Sequence, residues 1–343
     1  MTVTLAELTT LRVGGPARHL ERVRATDDLV GAVLAADVAG EPLLLVGGGS
    51  NLLVADAGFP GTVLQVATRG VTMRPGAGGV VVEALAGERW DDLVARTLAE
   101  GLSGLEALSG IPGSVGATPI QNVGAYGADV AQVIRSVRAL DRRSGDVVDL
   151  APVALGFGYR TSVLKRDPGR WVVLAVQFAL ARSVDSAPVA YAELARRLRV
   201  DVGTVVPARE VREAVLSLRR GKGMVLDSQD HDTWSAGSFF TNPVVPAGVA
   251  EALPEDAPRF VQPDGTVKTS AAWLIARSGF DRGFRLAPDA PASLSTKHTL
   301  AVTNRGAASA EDLLALARAV RAGVLDRFGI LLENEPVLVG CSL

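Results

Sequence analysis

Two glycine-rich segments carry the residues of this 343-residue chain whose types and spacing suit ligand chemistry. In the first, the apolar run Leu43 to Val46 feeds Gly47-Gly48-Gly49-Ser50-Asn51. No side chains obstruct the backbone N–H groups of such a loop, and loops of this kind cradle phosphates. A tight turn is the plainer reading of three glycines. A Rossmann fingerprint is excluded, because the third glycine position of G-x-G-x-x-G is Leu52, and Gly58, Pro60 and Gly61 leave no room for a full helix. No G-x-x-x-x-G-K-[ST] occurs, which removes the P-loop as well. The second segment is Ser109-Gly110-Ile111-Pro112-Gly113-Ser114-Val115-Gly116-Ala117, followed by Gln121-Asn122-Val123-Gly124-Ala125-Tyr126-Gly127. Glu106 is the single charge between Gly101 and Gly127, fewer than a solvated loop carries. Bare backbone over that length favours a large, flat, buried ligand.

Other chemistry is thinner. His19, His231 and His298 have no metal-ligand spacing, and no G-x-S-x-G elbow marks a serine hydrolase. With Cys341 alone, neither an intrachain disulfide nor a cysteine zinc site can form, which fits a reducing compartment. All but four of the 35 basic residues are arginine. Arginine-biased codon usage accounts for the scarcity of lysine but not for where Lys165, Lys222, Lys268 and Lys297 stand. An ammonium and a guanidinium are not interchangeable, so these positions mark a need for the former.

The elements that must position these groups read as α+β. His19 to Arg24 alternates as a strand, Thr26 stands as N-cap of a helix ended by Gly40, and Pro42 to Val46 is a buried strand. From Gly61 to Ala181 short apolar runs alternate with turns: Val63 to Val66, Val80 to Ala84, Val133 to Leu140, Val147 to Leu150 and Trp171 to Leu180. One helix, Trp90 to Glu100, interrupts them. A helix follows Pro207, a short one begins at Ser270, and Ser309 with Asp312 forms a capping box for a long one ended by Gly329. Leu331 to Gly340 reads as a closing strand. The formal charge of −2, without a basic stripe, argues against nucleic acid. Met1 to Leu11 lacks a signal-peptide pattern, and the apolar run Trp171 to Ala181 is too short to span a bilayer, so the expectation is a cytoplasmic protein with no membrane insertion.

Both glycine segments, together with Thr10-Leu11-Arg12-Val13-Gly14-Gly15-Pro16, Gly158-Tyr159-Arg160, Gly237-Ser238-Phe239-Phe240-Thr241-Asn242-Pro243, Val267-Lys268-Thr269-Ser270-Ala271-Ala272-Trp273, Leu294-Ser295-Thr296-Lys297-His298 with Asn304, and Leu332-Glu333-Asn334-Glu335, resemble the UDP-N-acetylenolpyruvoylglucosamine reductase family over nearly the whole chain. Ala190-Tyr191-Ala192-Glu193-Leu194 looks like the substrate-covering loop of its longer subgroup. Two departures stand out: Gly223-Met224-Val225-Leu226-Asp227 replaces the usual Leu-Pro-Asp after the lysine, and Val337 replaces an arginine.

The resemblance implies an FAD-binding domain of the vanillyl-alcohol-oxidase/PCMH type in two lobes, plus a smaller α+β substrate-binding domain. The lobes would be residues 1–61, joined by the strand 337–343, and 62–225, with 226–336 as the substrate domain. It implies NADPH-dependent reduction of an enolpyruvyl UDP-sugar through non-covalent FAD, in a protein expected to be a monomer. Arg160, Ser238 and Glu335 would be catalytic. Gly47, Gly48, Gly49, Ser50, Asn51, Gly110, Ile111, Pro112, Gly113, Ser114, Gly116, Ala117, Gln121, Asn122, Gly124, Tyr126 and Arg219 would hold the cofactor. Tyr159, Tyr191, Lys222, Asn242 and Lys268 would hold substrate. Taken without the family, Arg160 is equally a surface residue, Glu335 the polar face of an edge strand, and Ser238 a cap or turn residue. A flavin oxidase built on the same FAD domain and a non-catalytic nucleotide-sugar binder are the alternative functions.

Overall fold

A computed structural model describes residues 3–343. The chain divides into two compact units, one made of Arg18–Gly48 and Pro60–Gly221, the other of the described part of Met1–Ala17 with Gly49–Phe59 and Lys222–Leu343.

In the first unit, strands Ala17–Val23, Phe59–Val66 and Leu43–Val46 form a small sheet in that order, the last two parallel. Helix Thr26–Ala39 packs Leu29 and Val33 onto Val23 and Leu64. It starts one residue earlier than expected: Ala25 is the N-cap and Thr26 already lies inside the helix, with no side-chain cap. Asp27 and Asp28 in the first turn favour the positive end of the helix dipole instead.

A larger antiparallel sheet follows in the order Asp146–Leu150, Ile134–Asp141, Trp171–Arg182, Gly79–Leu85 and Val71–Gly76, with Leu102–Ser103 pairing the far end of Trp171–Arg182. That central strand is apolar at nearly every position because its two faces serve different cores. Val172 and Leu174 pack with the helix Thr26–Ala39, whereas Val176, Phe178 and Leu180 pack around Trp90. Alternation alone would keep all five on one face. The register irregularity between the Arg138↔Ala175 and Ala139↔Val173 pairs flips the alternation there. Strand Val71–Gly76 went unread because Arg74, Pro75 and Gly76 break its apolar pattern; it is an edge strand, where proline is tolerated.

The second unit is built around the helix Ala310–Phe328. Ser309 and Asp312 make the reciprocal capping box, and Gly329, at φ 66°, ends it. Its face Leu313, Leu316, Val320 and Val324 packs with Phe239, Phe240, Leu274 and Ile275. Strands Val244–Val245, Val267–Thr269 and Arg259–Val261 form a three-stranded sheet, and Ala292–Leu294 pairs Val302–Asn304. The expected closing strand shrinks to Val337–Val339, which runs parallel to Leu52–Val54. Residues before it are not in a regular strand because their backbone groups are engaged elsewhere: Glu335 N–H donates to Phe239 and Thr241 N–H donates to Glu333. Among the described residues no helix is long and apolar enough to cross a membrane.

Candidate active site

The two glycine segments meet backbone to backbone. A Cβ added at Gly48 would lie 2.6 Å from Gly113 Cα, and one at Gly47 would lie 2.2 Å from Ser114 Oγ. At Gly48 the obstacle is backbone and a side chain does not fit; at Gly47 it is the Ser114 hydroxyl, which would have to turn away. The second segment is stitched along Ala86–Trp90, where Gly116 N–H donates to Ala86 and Val115 N–H to Glu88, both at 2.8 Å, and Trp90 N–H donates to Gly113 at 3.1 Å. Trp90 Nε1–H also reaches the Leu108 carbonyl at 2.9 Å. Gly47, Gly48, Gly110, Ile111, Pro112, Gly113, Ser114, Gly116 and Ala117 thus belong to one braced glycine wall. Gly49, Ser50 and Asn51 continue in the second unit, where a Cβ on Gly49 would strike the Leu8 carbonyl oxygen.

Asp91 braces the same wall and was not singled out in the sequence, where it reads only as an acidic residue in a first helical turn. Its carboxylate accepts from Gly110 N–H at 2.6 Å and from both Arg212 guanidinium nitrogens, at 2.6 and 2.8 Å. Burial pushes this carboxyl up, but the bonds from Arg212 and Gly110, with the charges of Arg212 and Arg219, outweigh burial and leave it below its ordinary value. Glu106, the lone charge of the segment, is buried and accepts from Gly104 N–H at 2.6 Å and Ala187 N–H at 3.1 Å.

Gln121 to Tyr126 leads into the small hairpin Gly124–Ala125/Ala128–Asp129. Asn122 is buried, donates to the Gly158 carbonyl at 3.1 Å and accepts from Ala131 N–H at 3.1 Å. Among the described residues five non-glycine residues adopt positive φ, and three of them sit here: Asn122 at 46°, Tyr126 at 52° and Arg160 at 54°. Each left-handed residue of this kind costs about 1–3 kcal/mol. Arg160 closes the tight turn in which Gly158 and Thr161 exchange backbone bonds of 3.0 and 3.3 Å, and its Nη2 donates to the Gly124 carbonyl at 2.9 Å. It is therefore no surface arginine; its guanidinium is half-buried against the glycine-rich segment.

Arg219, on helix Ala208–Gly221, is only 8% exposed. Burial pushes its guanidinium down to about 10, the charges of Tyr126 and Asp91 pull it up, and Arg160 pushes it down. Burial pushes the Tyr126 hydroxyl up to about 12, against the pull of Arg219. Tyr191, which directly precedes helix Ala192–Leu198, meets Tyr126 edge-on with ring centroids 5.8 Å apart. Tyr159 is exposed beside Arg160, whose guanidinium carbon lies 5.8 Å from its ring.

The second unit brings Ser238 and Glu335 together through an isolated antiparallel bridge, Phe240↔Asn334. Ser238 is neither a helix cap nor on a regular strand, and it precedes two fully buried phenylalanines. Asn51 Nδ2–H donates to the Glu335 carbonyl at 3.3 Å, and Val337 N–H donates to the Asn51 carbonyl at 2.9 Å. Asn242 Oδ1 accepts from Ala271 N–H at 3.0 Å, capping the helix Ala271–Arg277 together with Ser270. Lys268 stands in the central strand between Val244 and Phe260. Lys222 precedes Gly223, whose φ of 66° and approach to the Asp232 carbonyl admit glycine best. Lys297 pairs with Asp230. Asp232, buried, accepts from Thr296 and from Arg305 at 2.8 Å, a network no spacing announced.

The residues fit FAD: a glycine wall without side chains for a flat ring system, and the buried Arg219 cation for a diphosphate or an electron-rich ring edge. Among the described residues no cluster of acidic, histidine and cysteine side chains suits a metal ion.

Comparison with known proteins agrees. A family model described as "FAD binding domain" matches residues 17–151, and one described as "UDP-N-acetylenolpyruvoylglucosamine reductase, C-terminal domain" matches 229–339. The UDP-N-acetylenolpyruvoylglucosamine reductase of Nocardia farcinica is 59% identical over 350 residues, covering 99% of this chain and 90% of that one. The protein of the same name from Cutibacterium acnes is 54% identical, with the same coverage. A crystal structure of the enzyme from Thermus caldophilus, 28% identical, superposes with a TM-score of 0.67 over 99% of this chain and 98% of that one. With an α+β architecture and both family segments in place over nearly the full length of its relatives, this chain belongs to the UDP-N-acetylenolpyruvoylglucosamine reductase family.

Proposed function

We propose that Arg160, Ser238 and Glu335 carry out, in this chain, the reaction of its family: NADPH-dependent reduction of the enolpyruvyl group of UDP-N-acetyl-3-O-(1-carboxyvinyl)-glucosamine to UDP-N-acetylmuramate, in peptidoglycan synthesis. FAD, when bound, supplies hydride transfer from NADPH to the substrate's methylene carbon. The chain's residues must manage the charge and the proton. Hydride addition leaves an enolate on the substrate carboxyl, which Arg160 as a cation and Glu335 as a protonated acid stabilise. Ser238 donates the proton to the carbon bearing the ether oxygen. The glycine wall, Gln121 to Tyr126 and Arg219 hold FAD without a covalent bond, since the segments contain no His or Cys. Tyr191, Lys222 and Asn242 hold the UDP diphosphate, and Tyr159 and Lys268 the remainder of the substrate.

The observation that carries this reading is the left-handed trio Asn122, Tyr126 and Arg160, with Arg160 bonded to Gly124 and Asn122 to Gly158. Strain of this kind, gathered in one hydrogen-bonded cluster, is a mark of functional sites. The division of the chain into 1–61 with 337–343, 62–225 and 226–336 belongs to the same proposal; its support is the parallel pairing of Val337–Val339 with Leu52–Val54 and the unit boundary at Gly221. So does placement in the cytoplasm, supported by the lone Cys341, and a monomeric state, which sedimentation tests. The central experiment is a visible spectrum of purified protein under nitrogen. It should be yellow, bleach with NADPH and recover on adding the enolpyruvyl UDP-sugar. Recovery only with oxygen would make the protein an oxidase, and no response to NADPH a binder.

A further inference from the structure

Arg160 does chemistry from a backbone conformation that its own side chain disfavours, so something must hold the turn. Its guanidinium is held by the Gly124 carbonyl. Its peptide carbonyl is held by Lys165, whose Nζ donates to it at 3.1 Å. Lys165 sits on the one-turn helix Val163–Arg166, and that helix is itself anchored, because the fully buried Ser162 donates its hydroxyl proton to the Ile120 carbonyl at 2.6 Å. Ile120 belongs to the segment leading into Asn122 and Gly124. The two ends of Arg160 are thus tied to the same stretch of chain, one directly and one through Lys165 and Ser162.

We propose that Lys165 is a positioning residue for catalysis: its ammonium clamps the Arg160 carbonyl, locks the left-handed turn and aims the guanidinium at the substrate carboxyl group. The inference rests on the assignment of Arg160 to the reaction. The chemistry explains why lysine survives here in a chain that uses arginine almost everywhere else. One carbonyl oxygen suits the compact ammonium, with its three rotatable donors; a planar guanidinium fork calls for paired acceptors. The adjacent Arg166 serves as a control: it is exposed and donates to the Gly156 carbonyl at 3.0 Å, not to that of Arg160. A second cation near Arg160 also strengthens the field that favours an enolate.

The test separates the two half-reactions by anaerobic stopped flow and measures substrate affinity for the oxidised holoprotein by calorimetry. Lys165→Met should leave reduction by NADPH near its normal rate, slow the substrate-driven half-reaction about 10- to 100-fold, as expected for a displaced catalytic group, and weaken binding several-fold. Arg166→Met should change neither. Lys165→Cys treated with 2-bromoethylamine, which rebuilds an ammonium side chain of nearly the same length, should recover most of the lost rate, with identically treated wild type controlling for Cys341. Equal slowing of both half-reactions by Lys165→Met, or no recovery with the rebuilt ammonium, would overturn the proposal. Arg160→Met run in parallel distinguishes the premises: a normal substrate-driven half-reaction there removes Arg160 from the chemistry, whereas a slow one beside a normal Lys165→Met removes only Lys165.

Discussion

Glu335 donates its backbone N–H to the carbonyl of Phe239 across 2.8 Å, one residue beyond Ser238. Two proposed catalytic positions far apart in the chain are therefore fixed to each other through the main chain. Thr241 N–H to the Glu333 carbonyl at 3.0 Å extends the pairing, and Phe239 and Phe240, edge-on at 5.2 Å, bury it. Such support keeps the backbone around position 238 in place even when the side chain there is changed.

Ser238→Ala should therefore fold normally and separate the two half-reactions. Reduction by NADPH should keep its rate, while the substrate-driven step loses about 10²- to 10⁴-fold, the usual contribution of a positioned general acid. Ser238→Cys should retain part of the activity because a thiol also donates a proton. Stopped flow under nitrogen reads both steps; equal loss in each would indicate a disturbed cofactor site instead of a missing acid.

Tyr191→Phe and Lys222→Ala should raise the dissociation constant for the UDP-sugar more than they slow the step at saturation. Both residues are assigned to the diphosphate handle, so their loss should appear as uniform binding. Tyr191→Phe preserves the ring that meets Tyr126 edge-on, so it isolates the hydroxyl. Unchanged calorimetric affinity in both variants would remove them from the substrate site.

Gly48→Ala should destabilise the protein by about 1–3 kcal/mol, the range for overpacked interiors, because its methyl group would lie 2.6 Å from Gly113 Cα. The two loops must part to admit it, so FAD should be released more readily on dilution. Thermal unfolding and filtration of the flavin check both. Gly40→Ala, where nothing lies within 4 Å, is the contrast: its left-handed φ of 63° is strained, but its flavin retention should be normal.

Acid should loosen the glycine wall through Asp91. Its folded value lies below the ordinary 3.8, so as pH falls below about 4 the unfolded chain takes up this proton before the folded one does. The stability it contributes is full above that value and is lost as pH drops through the folded one. Asp91→Asn should flatten the acid limb of the stability curve and weaken FAD retention at pH 7, since the Gly110 N–H and Arg212 lose a charged acceptor. A wild-type acid limb in the variant would show that other carboxylates dominate.

Local signals determined much of this protein. The capping box Ser309–Asp312, the terminating Gly329, the strand positions from Gly79 to Leu180 and the α+β class are all legible because capping and apolar periodicity act over a few residues. The glycine segments were legible too, as places where backbone must be bare. Tertiary structure alone decided why it is bare, since the faces of Gly47 and Gly48 are filled by Gly113 and Ser114, more than sixty residues on. The same holds for the closing strand: Asn334 and Glu335 have strand-like surroundings in sequence, but Phe239, Phe240 and Thr241 engage that stretch of backbone and leave only Val337–Val339 regular. The bulge that sends Leu174 and Val176 into different cores left no mark beyond an unbroken apolar run. Asp91 and Asp232 were ordinary charged residues, and Lys165 a retained lysine without an assigned partner, until folding placed a glycine N–H, a threonine and a strained carbonyl beside them. A hydrogen bond across the chain depends on where two distant backbones come to rest, and residue type and spacing do not encode that locally.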